Sequence, residues 1–102
     1  MKIKTAYKEI ASANIIGVTV GSNCPQGGDS GQGGRTYLSI EDFASTDMRV
    51  IVDGREFDYA TKLELVFGGD TEHDTLIEAL EFALGYLRTR MAFQEGPEIA
   101  VD

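Results

Sequence analysis

The sequence predicts an α+β fold: a four-stranded, mostly antiparallel sheet followed by one long C-terminal helix packed on one face, in the order ββββα. Three observations support this prediction. Short segments between residues 14 and 67 alternate apolar and polar side chains with the period of a β-strand. A segment after residue 70 repeats its apolar residues at helical spacing. A chain of 102 residues is also long enough for one core, so residues 1–102 are expected to form a single domain.

The strands are predicted from β-branched residues and from alternation. Residues 1–12 fit either a short helix or an edge strand, and we favour a strand or an irregular arm. The clearer strands cover residues 14–21, 35–41, 47–53 and 57–67. The first of these stops at Pro25, which cannot donate a ladder hydrogen bond. Asp53-Gly54 predicts a hairpin turn because both residues tolerate a positive φ.

The helix is predicted to begin at Asp70, a suitable N-cap after the strand-breaking Gly68-Gly69, and to end near residue 91. Its apolar stripe consists of Leu76, Leu80, Ala83, Leu84, Leu87 and Met91. The acidic tail, residues 92–102, is expected to fray or to add to a sheet edge.

The side of the sheet away from the helix is predicted to be apolar. It would carry Ile15, Tyr37, Ile51 and Val66, which is too apolar a set to remain in water. We therefore expect self-association, with a second copy covering this side in a homo-oligomer.

Composition and charge exclude several classes of protein. The net charge of −8 disfavours binding to a nucleic-acid backbone. No apolar run approaches the ~20 residues that span a bilayer, and the N-terminal MKIKTAYKEI lacks the apolar core of a signal peptide. A single cysteine, Cys24, excludes an internal disulfide. We therefore expect a cytoplasmic protein that does not bind membranes.

Residues 23–34 form a glycine-rich loop that is longer than a chain reversal requires. Successive glycines let backbone N–H groups converge on an anion, and Arg35 at the loop's exit adds a forked donor for phosphate. The candidate ligand-binding residues are Gly27, Gly28, Asp29, Ser30, Gly31, Gln32, Gly33, Gly34, Arg35, Thr36 and Tyr37. Tyr37 or Tyr59 would stack on a base. The alternative is a hairpin loop whose glycines only reverse the chain.

Two catalytic motifs that the loop resembles lack a residue that each of them requires. Gly28-Asp29-Ser30-Gly31 resembles the start of the serine-protease GDSGG stretch, but the single histidine, His73, follows the serine instead of preceding it. A phosphate-binding P-loop would need lysine where Gly34 stands. We predict no catalytic residue, cofactor or metal. Two enzymatic alternatives carry less weight: a metal-dependent hydrolase built on Asp70, Glu72, His73 and Asp74, and a thiol nucleophile at Cys24 with His73 as base.

In size, charge and general style, the chain resembles the small acidic accessory proteins encoded by bacteriophages. The resemblance implies one of two anti-defence functions. The first is a homo-oligomeric sponge that sequesters a phosphate-bearing small ligand, such as a nucleotide immune signal, between the loop and a neighbouring subunit. The second is an acidic protein–protein inhibitor, similar to anti-CRISPR proteins, that covers a basic site on a host enzyme.

Overall fold

The fold is a four-stranded antiparallel sheet followed by a single helix, as seen in a computed structural model that describes residues 1–44, 48–57, 60–90 and 94–101. The elements are β1 (Thr5–Ala11), β2 (Ile15–Ser22), β3 (Arg35–Ala44), β4 (Val50–Val52), β5 (Arg55–Phe57), β6 (Lys62–Gly68) and α1 (Asp70–Thr89). The sheet has the order β1-β2-β3-β6, with every neighbouring pair antiparallel. The predicted α+β class is therefore confirmed.

One strand of the sheet is not the predicted one. The N-terminal β1 pairs with β2 at the sheet edge, whereas β4 and β5 form a separate two-stranded hairpin. The prediction that residues 47–53 join the sheet is wrong, because the tight Asp53-Gly54 turn leaves β4 and β5 paired with each other. That turn itself is confirmed: φ is 51° at Asp53 and 80° at Gly54.

The two sides of the four-stranded sheet differ in polarity. Residues paired across antiparallel strands project to the same side, so the register assigns each side chain to one side of the sheet. The side we call the helix face carries Ile16, Val18, Val20, Leu38, Ile40, Leu63, Leu65 and Phe67. The opposite side, the outer face, carries Ile15, Tyr37 and Val66 as predicted. Ile51, which was expected there, lies on the β4–β5 hairpin instead.

Helix α1 touches the sheet with its first turns and then diverges from it. Its start lies on the helix face, where His73 Nδ1 is 3.0 Å from Ser22 Oγ. Leu76 is buried, with 8% of its surface exposed. Exposure then rises along the predicted stripe, to 44% at Leu80, 48% at Leu84 and 67% at Leu87. The later part of the stripe therefore does not pack on the sheet, and on the helix face Val20 and Leu65 are exposed while the other six apolar residues are half-buried.

The ends of α1 differ from the predicted capping. Gly69 occupies the N-cap position and makes no side-chain cap bond, so the prediction of Asp70 as the N-cap is wrong. Asp70 is the first helical residue, and its carboxylate bonds elsewhere. At the other end, Arg90 is left-handed and its N–H donates to the Tyr86 carbonyl at 2.6 Å. Met91 lies outside the described residues.

The buried positions lie mostly near the junction of the loop, the sheet and the helix. Those in the described part of the chain are Gly17, Gly33, Gly34, Thr36, Ser39, Gly69 and Leu76. Residues 94–101 are exposed and belong to neither helix nor strand, so this part of the tail does not add to the sheet. Within the described ranges, no helix has the length and hydrophobicity to cross a bilayer.

Candidate functional site

The glycine loop closes around the side chain of Asp70. Oδ1 accepts the backbone N–H of Gly34 at 2.8 Å and of Gln26 at 2.9 Å. Oδ2 accepts the N–H of Gly27 at 2.7 Å and of Gly28 at 3.1 Å. The amides thus converge on an anion, as a nest of glycines does, and the anion is a side chain of the protein itself.

These bonds fix the charge state of Asp70. The N–H groups, with that of Gly34 as the largest cause and that of Gln26 next, hold the pKa of the Asp70 carboxyl far below its usual range, although partial desolvation acts in the opposite direction. The carboxylate is therefore ionised at neutral pH. A phosphate approaching the same amides would meet both occupied donors and a fixed negative charge.

Backbone bonds also tie the loop to the start of the helix. Gly69 N–H donates to the Gly34 carbonyl at 2.9 Å, and Asp70 N–H donates to the Gly28 carbonyl at 3.1 Å. A side chain at Gly33 would collide with the Gly28 carbonyl and lie 2.8 Å from Asp70 N. This close approach explains a glycine at position 33 without any ligand.

The tip of the loop is an ordered turn. The Asp29 carbonyl accepts the N–H of Gly33 at 2.6 Å and of Gln32 at 3.2 Å. The side-chain Oδ1 of Asp29 accepts the N–H of Gly31 at 3.2 Å, which is the bonding pattern of an Asx turn. The tip residues 29–32 are exposed. The loop therefore projects a defined surface rather than a slack connection.

The side chains of Arg35 and Tyr37, which were predicted to contact a ligand, form hydrogen bonds within the protein. Arg35 Nη1 donates to the carbonyls of Gly33 at 2.9 Å and Gly34 at 3.0 Å. Tyr37 donates its hydroxyl to Glu64 Oε2 at 2.7 Å on the outer face. Tyr59, the other expected stacking residue, lies outside the described residues.

A small polar cluster lies beneath the loop. Ser22 Oγ is 3.0 Å from Thr36 Oγ1 and 3.0 Å from His73 Nδ1, which is itself 3.4 Å from Thr36 Oγ1. Cys24 Sγ lies 3.7 Å from Thr36 Oγ1 and 3.6 Å from the Gly69 carbonyl oxygen. Thr36 is only 4% exposed, so this predicted ligand contact is enclosed by the cluster.

A cleft of about 380 Å³ opens between the loop and the first turn of the helix. It is lined by Cys24, Pro25, Asp70, Thr71, His73 and Asp74. Two carboxylates on its wall favour a cation or a hydrogen-bond donor over a phosphate. Among the described residues, no three His, Cys, Asp or Glu side chains are grouped to hold a metal ion.

The structure divides the candidate residues into separate places. Gly27, Gly28, Gly33, Gly34 and Arg35 surround or brace the Asp70 carboxylate, whereas Asp29, Ser30, Gly31 and Gln32 form the exposed tip. Sequence reasoning missed Asp70 as the centre of the loop and Ser22 as a member of the polar cluster. A signal for Ser22 was present: it and Thr36 flank the glycine loop and face each other across the β2–β3 pair.

Comparison of the chain with protein-family models, with curated proteins and with solved structures finds no match.

Proposed function

We propose that this chain is a non-enzymatic protein-binding module, which docks its loop tip and the cleft beside it on a basic surface of a partner protein. The observation that carries the proposal is the occupation of the loop amides by Asp70. The loop offers a partner an acidic rim instead of free N–H donors.

Charge around the cleft suits a cationic partner. Asp70 and Asp74 line the cleft, Glu72 is on the same first turn, and Asp29 is exposed at the loop tip. The whole chain carries a net charge of −8, so the long-range field attracts the same kind of partner. An arginine or lysine side chain entering the cleft would pair with the Asp70 and Asp74 carboxylates.

Order in the loop favours recognition as well. The bonds to Asp70 and the turn at Asp29 hold the tip in one conformation. A surface already held in its bound conformation loses little entropy on binding, so more of the contact energy appears as affinity. Inhibition of a host enzyme is the form of binding that the resemblance to phage accessory proteins implies, and it stays a prediction.

Sequestration of a phosphate-bearing ligand also stays a prediction. It now requires donors other than the Gln26, Gly27, Gly28 and Gly34 amides, or displacement of the Asp70 side chain from them. The two functions are separable because one expects a basic partner and the other an anion.

The test is a titration of isotope-labelled protein, followed by amide chemical shifts, with an arginine-rich peptide and separately with mono-, di- and cyclic nucleotides. We expect the peptide to shift the amides of residues 26–32 and 70–74. Its affinity should fall steeply between low and moderate salt, since the attraction is electrostatic. The nucleotides should shift nothing up to millimolar concentration.

Two variants of equal charge distinguish a site from diffuse attraction. Asp74→Asn removes one negative charge from the cleft wall, and Glu81→Gln removes one from a later turn of the same helix. Peptide binding should weaken more for Asp74→Asn. Equal weakening would mean that the peptide reads only net charge. Tight nucleotide binding that resists salt would replace this proposal with sequestration.

A further inference from the structure

The folded chain exposes more surface than its mass predicts. Its accessible surface is 8169 Å², whereas a folded monomer of 11.1 kDa should expose about 5,700 Å². Its radius of gyration is 15.6 Å, against about 13 Å for a compact domain of this length. The excess is roughly 2,500 Å² per chain by the same scaling.

Besides the tail at residues 94–101, the β4–β5 hairpin and the outer face, this excess includes two apolar surfaces on the helix side of the sheet. One is the second half of the helix stripe, where Leu80, Leu84 and Leu87 are exposed. The other is the helix face of the sheet, where Val20 and Leu65 are exposed and their apolar neighbours on β2 and β3 are only half-buried. The helix stripe and the helix face of the sheet are both apolar, so each could cover the other.

The loop explains why the two surfaces do not meet within one chain. The start of α1 is held by the Asp70 carboxylate and by the backbone bonds of Gly69 and Asp70 to the loop. With its first turn fixed on both sides, the helix leaves the sheet in a set direction. To lie across its own sheet, the stripe would need α1 to leave this junction at a different angle.

We propose that two copies of the chain exchange helices: the Leu80, Leu84 and Leu87 stripe of each copy packs on the helix face of the other. The arrangement is a two-fold dimer in which both interfaces are identical. It covers the stripe and the sheet face together, whereas a dimer through the helices alone would leave the sheet face in water.

The area agrees with an obligate dimer. Interfaces of that kind bury about 2,000–5,000 Å² in total over both partners, and the excess near 2,500 Å² on each chain, part of which belongs to the tail, is large enough to include such an interface. The outer face also has exposed apolar side chains, with Val66 64% and Tyr7 56% exposed. Charged residues lie among them on that face, namely Glu41, Lys62 and Glu64, whereas the paired positions of β2, β3 and β6 on the helix face are mostly apolar. The helix face is therefore the better candidate for the interface than the outer face expected from sequence.

The first measurement is sedimentation equilibrium of the whole chain at micromolar concentration, where a dimer is expected. Leu84→Glu damages the helix stripe and Val20→Glu damages the helix face. Each should weaken dimerisation by at least about 100-fold, since it buries an unpaired charge. Thr75→Glu is the matched control: it adds the same charge to an exposed position on the opposite side of the helix axis from Leu84, and it should remain dimeric.

Mixing the two damaged variants tests the exchange itself. The Val20→Glu copy retains an intact helix stripe, and the Leu84→Glu copy retains an intact helix face. Together they form one undamaged interface, so the mixture should give a heterodimer although neither variant dimerises alone. Circular dichroism of each variant confirms that it is folded before mixing.

Three results would overturn the proposal. A wild-type monomer at all concentrations removes the dimer. A dimer that survives both Leu84→Glu and Val20→Glu places the interface elsewhere, for example on the outer face. A dimer lost in Leu84→Glu but retained in Val20→Glu means that the helices pack on each other and not on the sheet.

Discussion

The Asp70 carboxylate accepts backbone N–H groups from both ends of the glycine loop, all within 3.1 Å. Bringing four amides to one side chain forces the loop backbone into close contact with itself and with the start of the helix. Gly33 shows the consequence, because the Gly28 carbonyl and Asp70 N occupy the space that a Cβ would need. Glycine at this position is demanded by packing.

Alanine substitution at two glycines of the same loop tests whether packing requires glycine at position 33 but not at position 31. Gly33→Ala should lower the free energy of unfolding by about 1–3 kcal/mol, as overpacking of a tight site does. Gly31→Ala should change it little, since the nearest atom to an added Cβ is 3.9 Å away and the tip is exposed. Urea denaturation measures both. If Gly33→Ala is as stable as the wild type, then the contacts around position 33 are not those described.

Acidification tests the Asp70 bonds directly. Because the native pKa lies below the unfolded value of about 3.9, the stabilisation is fully present above about pH 4 and is lost as the pH falls toward the native pKa. Asp70→Asn lacks this contribution at every pH. The difference in unfolding midpoint between wild type and Asp70→Asn should therefore be largest near neutral pH and should shrink below pH 4.

The control for acidification is Asp74→Asn, which removes a charge from the same end of the helix without touching the loop amides. Thermal unfolding followed by circular dichroism at pH 7, 5, 4 and 3 gives the comparison. Asp74→Asn should stay closer to the wild type than Asp70→Asn at pH 7. A constant gap between wild type and Asp70→Asn across this series would show that the carboxylate charge contributes nothing to stability.

The helix and the central strands were predictable because their signals are local. Alternation along β2, β3 and β6 assigned Ile15, Tyr37 and Val66 to one side of the sheet, and the register confirms it. Helical spacing likewise placed the stripe on α1. Periodicity reports which side chains share a face, and this is a property of the segment alone.

Strand order and the loop partner were not predictable, because they depend on contacts between distant segments. β1 belongs to the four-stranded sheet and residues 47–53 do not, although both segments were candidates for strands. Alternation identifies a strand but does not say which neighbour it pairs with. The glycine loop predicted an anion nest, but Asp70 lies 36 residues beyond Gly34, and helix capping already accounted for an aspartate there. The sequence therefore predicted an anion at the loop but not the Asp70 side chain that occupies it.

At the scale of the whole molecule, the chain leaves little apolar surface buried by itself. Leu76 is the one large apolar side chain classed as buried among the described residues, while Thr36 and Ser39 are the buried polar ones. In the proposed helix-exchanged dimer, stability would come largely from surfaces covered on association. Folding and dimerisation are then linked, and stability depends on the concentration of the protein.

That linkage gives a measurable melting behaviour. The unfolding midpoint of the wild type should rise as the chain concentration increases from about 1 to about 100 μM, because mass action favours the folded dimer over unfolded monomers. Leu84→Glu, which disables the stripe, should melt at a lower temperature that no longer depends on concentration. Thr75→Glu should retain the wild-type dependence. Scanning calorimetry across this range decides the matter: a wild-type midpoint that stays constant would mean that each chain folds without its partner, and the exposed Leu80, Leu84 and Leu87 would then need no cover for stability.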